Sequence, residues 1–218
     1  MHKSRFSRLA LGAAILVCVL ATRPALASTA SALIEEFHAS LVAMMTKADQ
    51  LQLKERYLRL APRVLSIFNI PFMMQAVTGR HWPQATEEER AGLVEAFARV
   101  SILTYASRIE SYGGERFEIL GERDAPNDRQ LVLTHLVRPD VGIIPITYVV
   151  EGLDDRRRVV DIVFGGGISE VALKRSEYRR ILDQGGITAL TGRLNEAADQ
   201  ILARAPEPVA IKTSPSSP

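Results

Sequence analysis

The side chains best suited to chemistry are few and scattered. The histidines are His2, His38, His81 and His135, and none stands at metal-ligand spacing from another histidine or from the single cysteine, Cys18. A structural or catalytic zinc needs such clustering, so no metal ligands are assigned. No Gly-x-Ser-x-Gly nucleophile elbow occurs. The glycine run VFGGGISE (163–170) is followed by no Gly-Lys-Ser/Thr, and Glu170 stands where a dinucleotide fingerprint needs its third glycine. It reads as a loose strand-to-helix turn whose backbone amides could hold an anion. Asp161, between Val159 and Val163 on one strand face, is the best carboxylate. Aimed into an apolar cavity it would be a base acting α to a carbonyl, with Tyr148 or Tyr105 as proton donor. Alternatively it pairs with an arginine such as Arg138, or sits at a sheet edge. Arg156-Arg157-Arg158 reads as a solvated hairpin shoulder and Arg179-Arg180 as a helix surface. No catalytic residue and no cofactor is assigned.

The elements that would position these groups change period once. Residues 28–48 carry Leu33, Phe37, Leu41, Met44 and Met45 at steps of three and four, the spacing of an amphipathic helix. Residues 52–68 continue in that manner with Tyr57, Leu60, Val64 and Ile67, and Pro62 is expected to bend or restart the helix. A short helix over 72–78 follows Pro71, closed by Gly79. The clearest helix covers 86–112. Thr86 and Glu89 form a capping box at its start, and Phe97, Tyr105, Ile109 and Tyr112 line one face, widened by Val94 and Ile102. Period two then takes over at 116–123, 130–138, 142–152 and 156–164. Connections this short make antiparallel hairpins. Both faces of the second and third strands are apolar, so a greasy cover is expected on each side. Helices return over 168–183 and 187–203, separated by Gly185-Gly186. The order gives an α+β fold: a twisted four-stranded antiparallel sheet wrapped by helices.

Residues 1–27 have a basic start, a short apolar run over 9–21 and an Ala25-Leu26-Ala27 end. That is a secretory signal peptide, cleaved after Ala27, and too short to span a bilayer, which takes about 20 apolar residues. Val17 before Cys18 does not suit a lipoprotein signal, so Cys18 reads as a small hydrophobe. Without the leader's four basic residues the chain has two more acids than bases, which excludes a nucleic-acid-binding field. The mature chain holds no cysteine, and an exported domain over 28–204 must rely on its core. Its parts are a helical lobe (28–112), a sheet (115–165) and C-terminal helices (168–203). The Pro- and Ser-rich end, 205–218, reads as disordered.

The stretch IFNIPFMMQAVTGRHW (67–82) is too greasy for a surface loop and too interrupted for a membrane span. Methionine is unbranched and adaptable, so Met44, Met45, Met73 and Met74 suit either an irregular core or a soft-walled cavity. A sheet apolar on both faces, few aromatics and no catalytic cluster favour a cavity for a flexible aliphatic ligand. The apolar pattern assigns its wall to Phe68, Phe72, Met73, Val77, Phe97, Ile102, Tyr105, Ile109, Ile146, Tyr148, Val150, Val163 and Leu182. The rival readings are a lipid-modifying enzyme using Asp161 and an envelope interaction protein with a well-packed interior.

Two blocks, RHWPQATEEERAGLVEAFARVSILTYASRIESYGGERFEIL (80–120) and VVDIVFGGGISEVALKRSEYRRILDQGGITALTGRLNEAADQIL (159–202), resemble the periplasmic toluene-tolerance family, the shuttle component of Mla-type lipid transport systems. The leader, RYLRLAPRVLSIFNIPFM (56–73) and GERFEIL (114–120) are most similar to the branch associated with hopanoid biosynthesis. The resemblance implies an NTF2-like cone with a deep apolar cavity, acyl tails inside and the head group at the mouth. It further implies a phospholipid or hopanoid as ligand, membrane-bound transporter components as partners, and no covalent chemistry. Under it Asp161 is structural.

Overall fold

The computed structural model describes residues 29–109, 111–165 and 167–205; the expected leader and almost all of the expected tail lie outside them. Helix α1 (Ala30–Met45) starts where the Thr29 hydroxyl accepts the Ala32 N–H, and a 3₁₀ turn at Ala48–Gln50 leads to α2 (Leu53–Ile67). Pro62 lies inside α2 and does not restart it. It sits on the exposed side of the helix, so the carbonyl it leaves unbonded one turn earlier, at exposed Leu58, faces water. Pro71 likewise lies inside α3 (Ile70–Thr78) and not before it. A first-turn amide has no helical partner to lose, and the Asn69 side chain caps the Phe72 N–H at 3.2 Å.

Helix α4 (Glu87–Arg108) opens on the expected capping box, with Thr86 and Glu89 bonded reciprocally at 2.9 and 3.1 Å. It ends before the expected Tyr112, which is exposed. Ile109 leaves the helical conformation (φ −98°, ψ 87°), and the buried Arg56 donates from its guanidinium to the Ile109 carbonyl. A side chain from α2 thus takes over the helix end that sequence alone would continue.

The sheet runs in chain order as a meander: β1 (Arg116–Ala125), β2 (Arg129–Arg138), β3 (Gly142–Glu151), β4 (Arg158–Phe164) and β5 (Ile168–Ser169), all antiparallel. There are five strands, not four. Gly165, at φ 57°, reverses the chain so that Ile168 and Ser169 pair with Phe164 and Val163 before the last helix begins. Arg157 does not project into water as a hairpin shoulder, since its guanidinium tucks in beside Gln130 at 3.4 Å. Helix α5 (Glu170–Ala203) is a single element with a sharp bend at Gly186 (φ 64°), close to the expected break.

Buried apolar side chains fall into two clusters. One unites α2, α3, α4 and α5 around Leu93, Ile102, Leu103, Leu190 and Met74. The other joins α1 and Ile67 to the sheet face that carries Val132, Ile146, Tyr148 and Val150. The expected cover on both sheet faces is found on one. Leu131, Leu133, Val137 and Val149, on the opposite face, belong to neither cluster, and Ile143 there is exposed.

Asp161 ties the sheet to α5. Its carboxylate accepts the Ser169 hydroxyl at 2.5 Å, the Val171 N–H at 3.1 Å and the Ile162 N–H at 2.8 Å, while Ser169 itself caps the Ala172 N–H. It meets neither Arg138 nor a substrate-sized space. An Asp161→Ala variant should lose about 2 kcal/mol of stability, with an unchanged slope in urea unfolding, because two backbone donors and a hydroxyl lose their acceptor.

Candidate functional site: an apolar cavity between sheet and helices

A cavity of about 320 Å³ lies between the two clusters. From α1 it receives Phe37, Leu41 and Met45, four residues apart and therefore on one helix face; α2 adds Leu60 and Val64. Phe68, Ile70 and Met73 close the top of the α2–α3 corner, and α4 contributes Phe97 and Ile102. The sheet presents Phe117, Leu136, Ile146, Tyr148, Ile162 and Phe164, which share one face by register. A wider depression of about 610 Å³, bordered by Tyr57, Leu65, Trp82 and Val94, is an open groove between α2 and α4 and not an enclosure.

Apart from the Tyr148 hydroxyl, polar groups in the wall gather at one end. Ser101, Tyr105 and Arg108 lie on one face of the last turns of α4, followed by Ser111 and Glu115 in the connection to β1, Arg138 at the end of β2, and Glu170 at the start of α5. Tyr105, Arg108 and Ser111 are exposed, which locates the mouth. Burial raises the pKa of the Tyr105 phenol, with Glu170 adding to the effect and Arg108 opposing it, so the hydroxyl lies within the field of both charges. Arg138 is bonded to Asp140 at 2.8 Å, and Glu115 accepts the Gly113 N–H at 2.7 Å.

One buried polar contact braces the wall. His38 Nε2 and the Tyr148 hydroxyl share a hydrogen bond of 3.0 Å, and the imidazole stacks on Phe117 at 4.1 Å between ring centres. Burial lowers the His38 pKa to about 4 and raises that of Tyr148, so both are neutral near neutral pH.

Of the expected wall residues, Phe68, Met73, Phe97, Ile102, Tyr105, Ile109, Ile146 and Tyr148 line the cavity. The other five do not. Phe72 points away from it, with the Arg129 guanidinium over its ring at 5.3 Å. Val77 and Leu182 are buried in the helical cluster, and Val150 in the α1–sheet cluster. Val163 alternates with Ile162 and Phe164 and so belongs to the opposite sheet face. The unforeseen contributors, Phe37, Leu41, Met45, Phe117, Leu136, Ile162 and Phe164, did leave a signal. The four-residue spacing on α1 and the alternation in β4 are both visible in the sequence.

Residues 35–196 match the family described as MlaC protein. The chain belongs to the MlaC family. That match spans the first resembling block and all but the last six residues of the second. No curated protein matched. Among solved structures the chain is similar to a phospholipid-binding protein from Ralstonia solanacearum, determined in complex with a phospholipid. The TM-score is 0.69 at 19% identity, covering 78% of this chain and 97% of that one. This likeness establishes a shared fold. Among the described residues no helix is long and apolar enough to cross a membrane.

His38 gives the wall a pH signature. Its folded pKa lies below the ordinary value of 6.5, so the unfolded chain binds the proton more readily. Stability from this group is full above about pH 6.5 and falls as pH drops towards about 4, with a slope of at most ~1.4 kcal/mol per pH unit. Urea midpoints across that range should fall more steeply for the parent than for a His38→Gln variant.

Proposed function

We propose that this protein is a periplasmic lipid-binding shuttle. One observation carries the reading: a deep apolar cavity, open at one end, whose charged lining residues gather at that opening. That division of polarity suits an amphiphile with its tails inside and its head group in water. Membership of the MlaC family and the fold shared with a phospholipid-binding protein support it, and the leader over 1–27 supports export. Asp161, spent on helix and strand amides, is not positioned as a base, which favours carriage over lipid modification.

Magnitude explains why enclosure matters. Each methylene left in water forgoes about 0.8 kcal/mol. Three exposed carbons of a tail therefore lose roughly 2.4 kcal/mol, or about fifty-fold in affinity. A carrier competing with a bilayer has to enclose nearly the whole tail, and ionic contacts at the mouth only adjust the balance.

The cargo is a phospholipid or a hopanoid. Arg108, Arg138, Glu115 and Glu170 at the mouth suit the ionic head group of a phospholipid, and the likeness of residues 56–73 to the hopanoid-associated branch keeps fused-ring lipid as its rival. Hand-over would run between membrane-bound transporter components of the inner and outer membranes. Lipid extraction and mass spectrometry of the purified protein should find lipid at near one-to-one. Val64→Trp, which puts an indole on the cavity wall, should reduce loading at least tenfold, with the helical circular dichroism retained. Purified protein free of lipid, taking up none from vesicles, would overturn the reading.

A further inference from the structure

Eleven large apolar side chains are exposed among the described residues, and six of them stand at one end of the molecule: Tyr105, Tyr112, Val141, Ile143, Ile168 and Leu173. Scattered singly, such residues need no explanation; gathered, they mark an interaction surface. They come from four segments that the fold brings to the cavity mouth. Tyr105 lines the cavity itself, and Tyr112 follows Ser111, which also does. The loop at Gly114 lies against Pro139, in the turn that carries Val141 and Ile143 just beyond the lining residue Arg138. Ile168 pairs with Phe164, a wall residue, and Leu173 lies one turn along α5 from Glu170. Tyr105, Tyr112, Ile168 and Leu173 therefore border the opening, and Val141 and Ile143 continue the apolar surface around the end of the sheet onto its other face.

We propose that this rim is a lipid-surface docking ring, which seats the cavity mouth directly on a bilayer interface while a lipid enters or leaves. The inference rests on the carrier reading and deepens it. Tyrosine beside aliphatic side chains and arginine is the composition that settles at the boundary between head groups and acyl chains. Seated there, the mouth offers a tail a path from hydrocarbon into the cavity with no stretch of water between. The exposed aliphatic groups are only Val141, Ile143, Ile168 and Leu173. Their carbons roughly match one myristoyl chain in number but insert only in part, and even a full myristoyl chain binds bilayers marginally and reversibly. The contact is correspondingly brief, as a shuttle requires. Charge contributes little. Arg108, Arg116 and Arg138 at this end are offset by Glu115, Glu118, Asp140 and Glu170, so docking depends on apolar contact and is insensitive to salt.

Residues 29–205 hold no cysteine, so single probes are simple to place. The experiment attaches an environment-sensitive fluorophore to Ile143→Cys, to Ile168→Cys and, far from the mouth, to Leu58→Cys in the mature chain. Each protein is titrated with vesicles of phosphatidylethanolamine and phosphatidylglycerol, and separately of phosphatidylcholine. Positions 143 and 168 should report transfer to an apolar environment on both vesicle types, undiminished by added salt, with no response at 58. An Ile143→Ser/Ile168→Ser variant should take lipid from vesicles at least fivefold more slowly, yet load as the parent does from detergent-dispersed lipid. Loading from detergent separates the two ideas: if it fails in the parent, the carrier reading falls. If it succeeds while either mouth position stays silent on protein-free vesicles, the docking ring is overturned. A response only with anionic vesicles, or only with vesicles bearing reconstituted membrane proteins, overturns it too, the latter in favour of a protein-docking face.

Discussion

An apolar hollow is held open here against the same force that folds the chain. Water leaves such a space unfavourably solvated, and unfilled volume deprives its lining of dispersion contacts. By the coefficient found for cavities in packed cores, about 320 Å³ sealed and dry would cost on the order of 8 kcal/mol, comparable with the whole stability of a typical domain. The walls therefore have to be braced from outside. The helical cluster and the α1–sheet cluster each close on themselves around fully buried residues such as Leu93, Leu190, Val132 and Val159, and the space between them is what their separate packing leaves. The His38–Tyr148 bond fixes α1 to the sheet at the cavity edge without putting a charge there.

This arrangement explains the economy of polar chemistry in the molecule. Side chains that first suggest catalysis are engaged in construction: Asp161 caps the start of α5, and Tyr148 bonds His38. Inside the cavity the Tyr148 hydroxyl is already bonded to His38. Reactive contrast exists only at the mouth, where Tyr105, Arg108 and Glu170 meet water.

Much of the fold was legible because its signals are local. The Thr86–Glu89 capping box, the change from helical to alternating period after Gly114, and the short connections of the meander each depend on neighbours in sequence. Part of what failed needed a distant partner. The end of α4 is set by Arg56, more than fifty residues away. The two-residue β5 was missed for another reason: it is too short to show an alternating period, and Gly165 turns it back onto β4. The cavity wall was half legible for a related reason. Periodicity shows which residues face inward, but not whether inward means solid packing or empty space. Val77 and Leu182 are as buried and apolar as Met73 and Phe97, yet only the latter pair meets the cavity. Val163 was lost by a single step of register, which in a strand changes the face entirely.

The bent helix α5 has a consequence for how the molecule comes to exist. It supplies Leu182, Ile187, Leu190, Leu194 and Ala198 to the helical cluster, and its first turn supplies Glu170 to the opening. It is also the last described element to leave a ribosome or a translocation channel. Until it arrives, α3 and α4 have no partner for much of their apolar surface, and the vessel has neither its back wall nor part of its lip. A product broken off ahead of Glu170 would therefore leave the apolar faces of α3 and α4 open to water and to proteolysis.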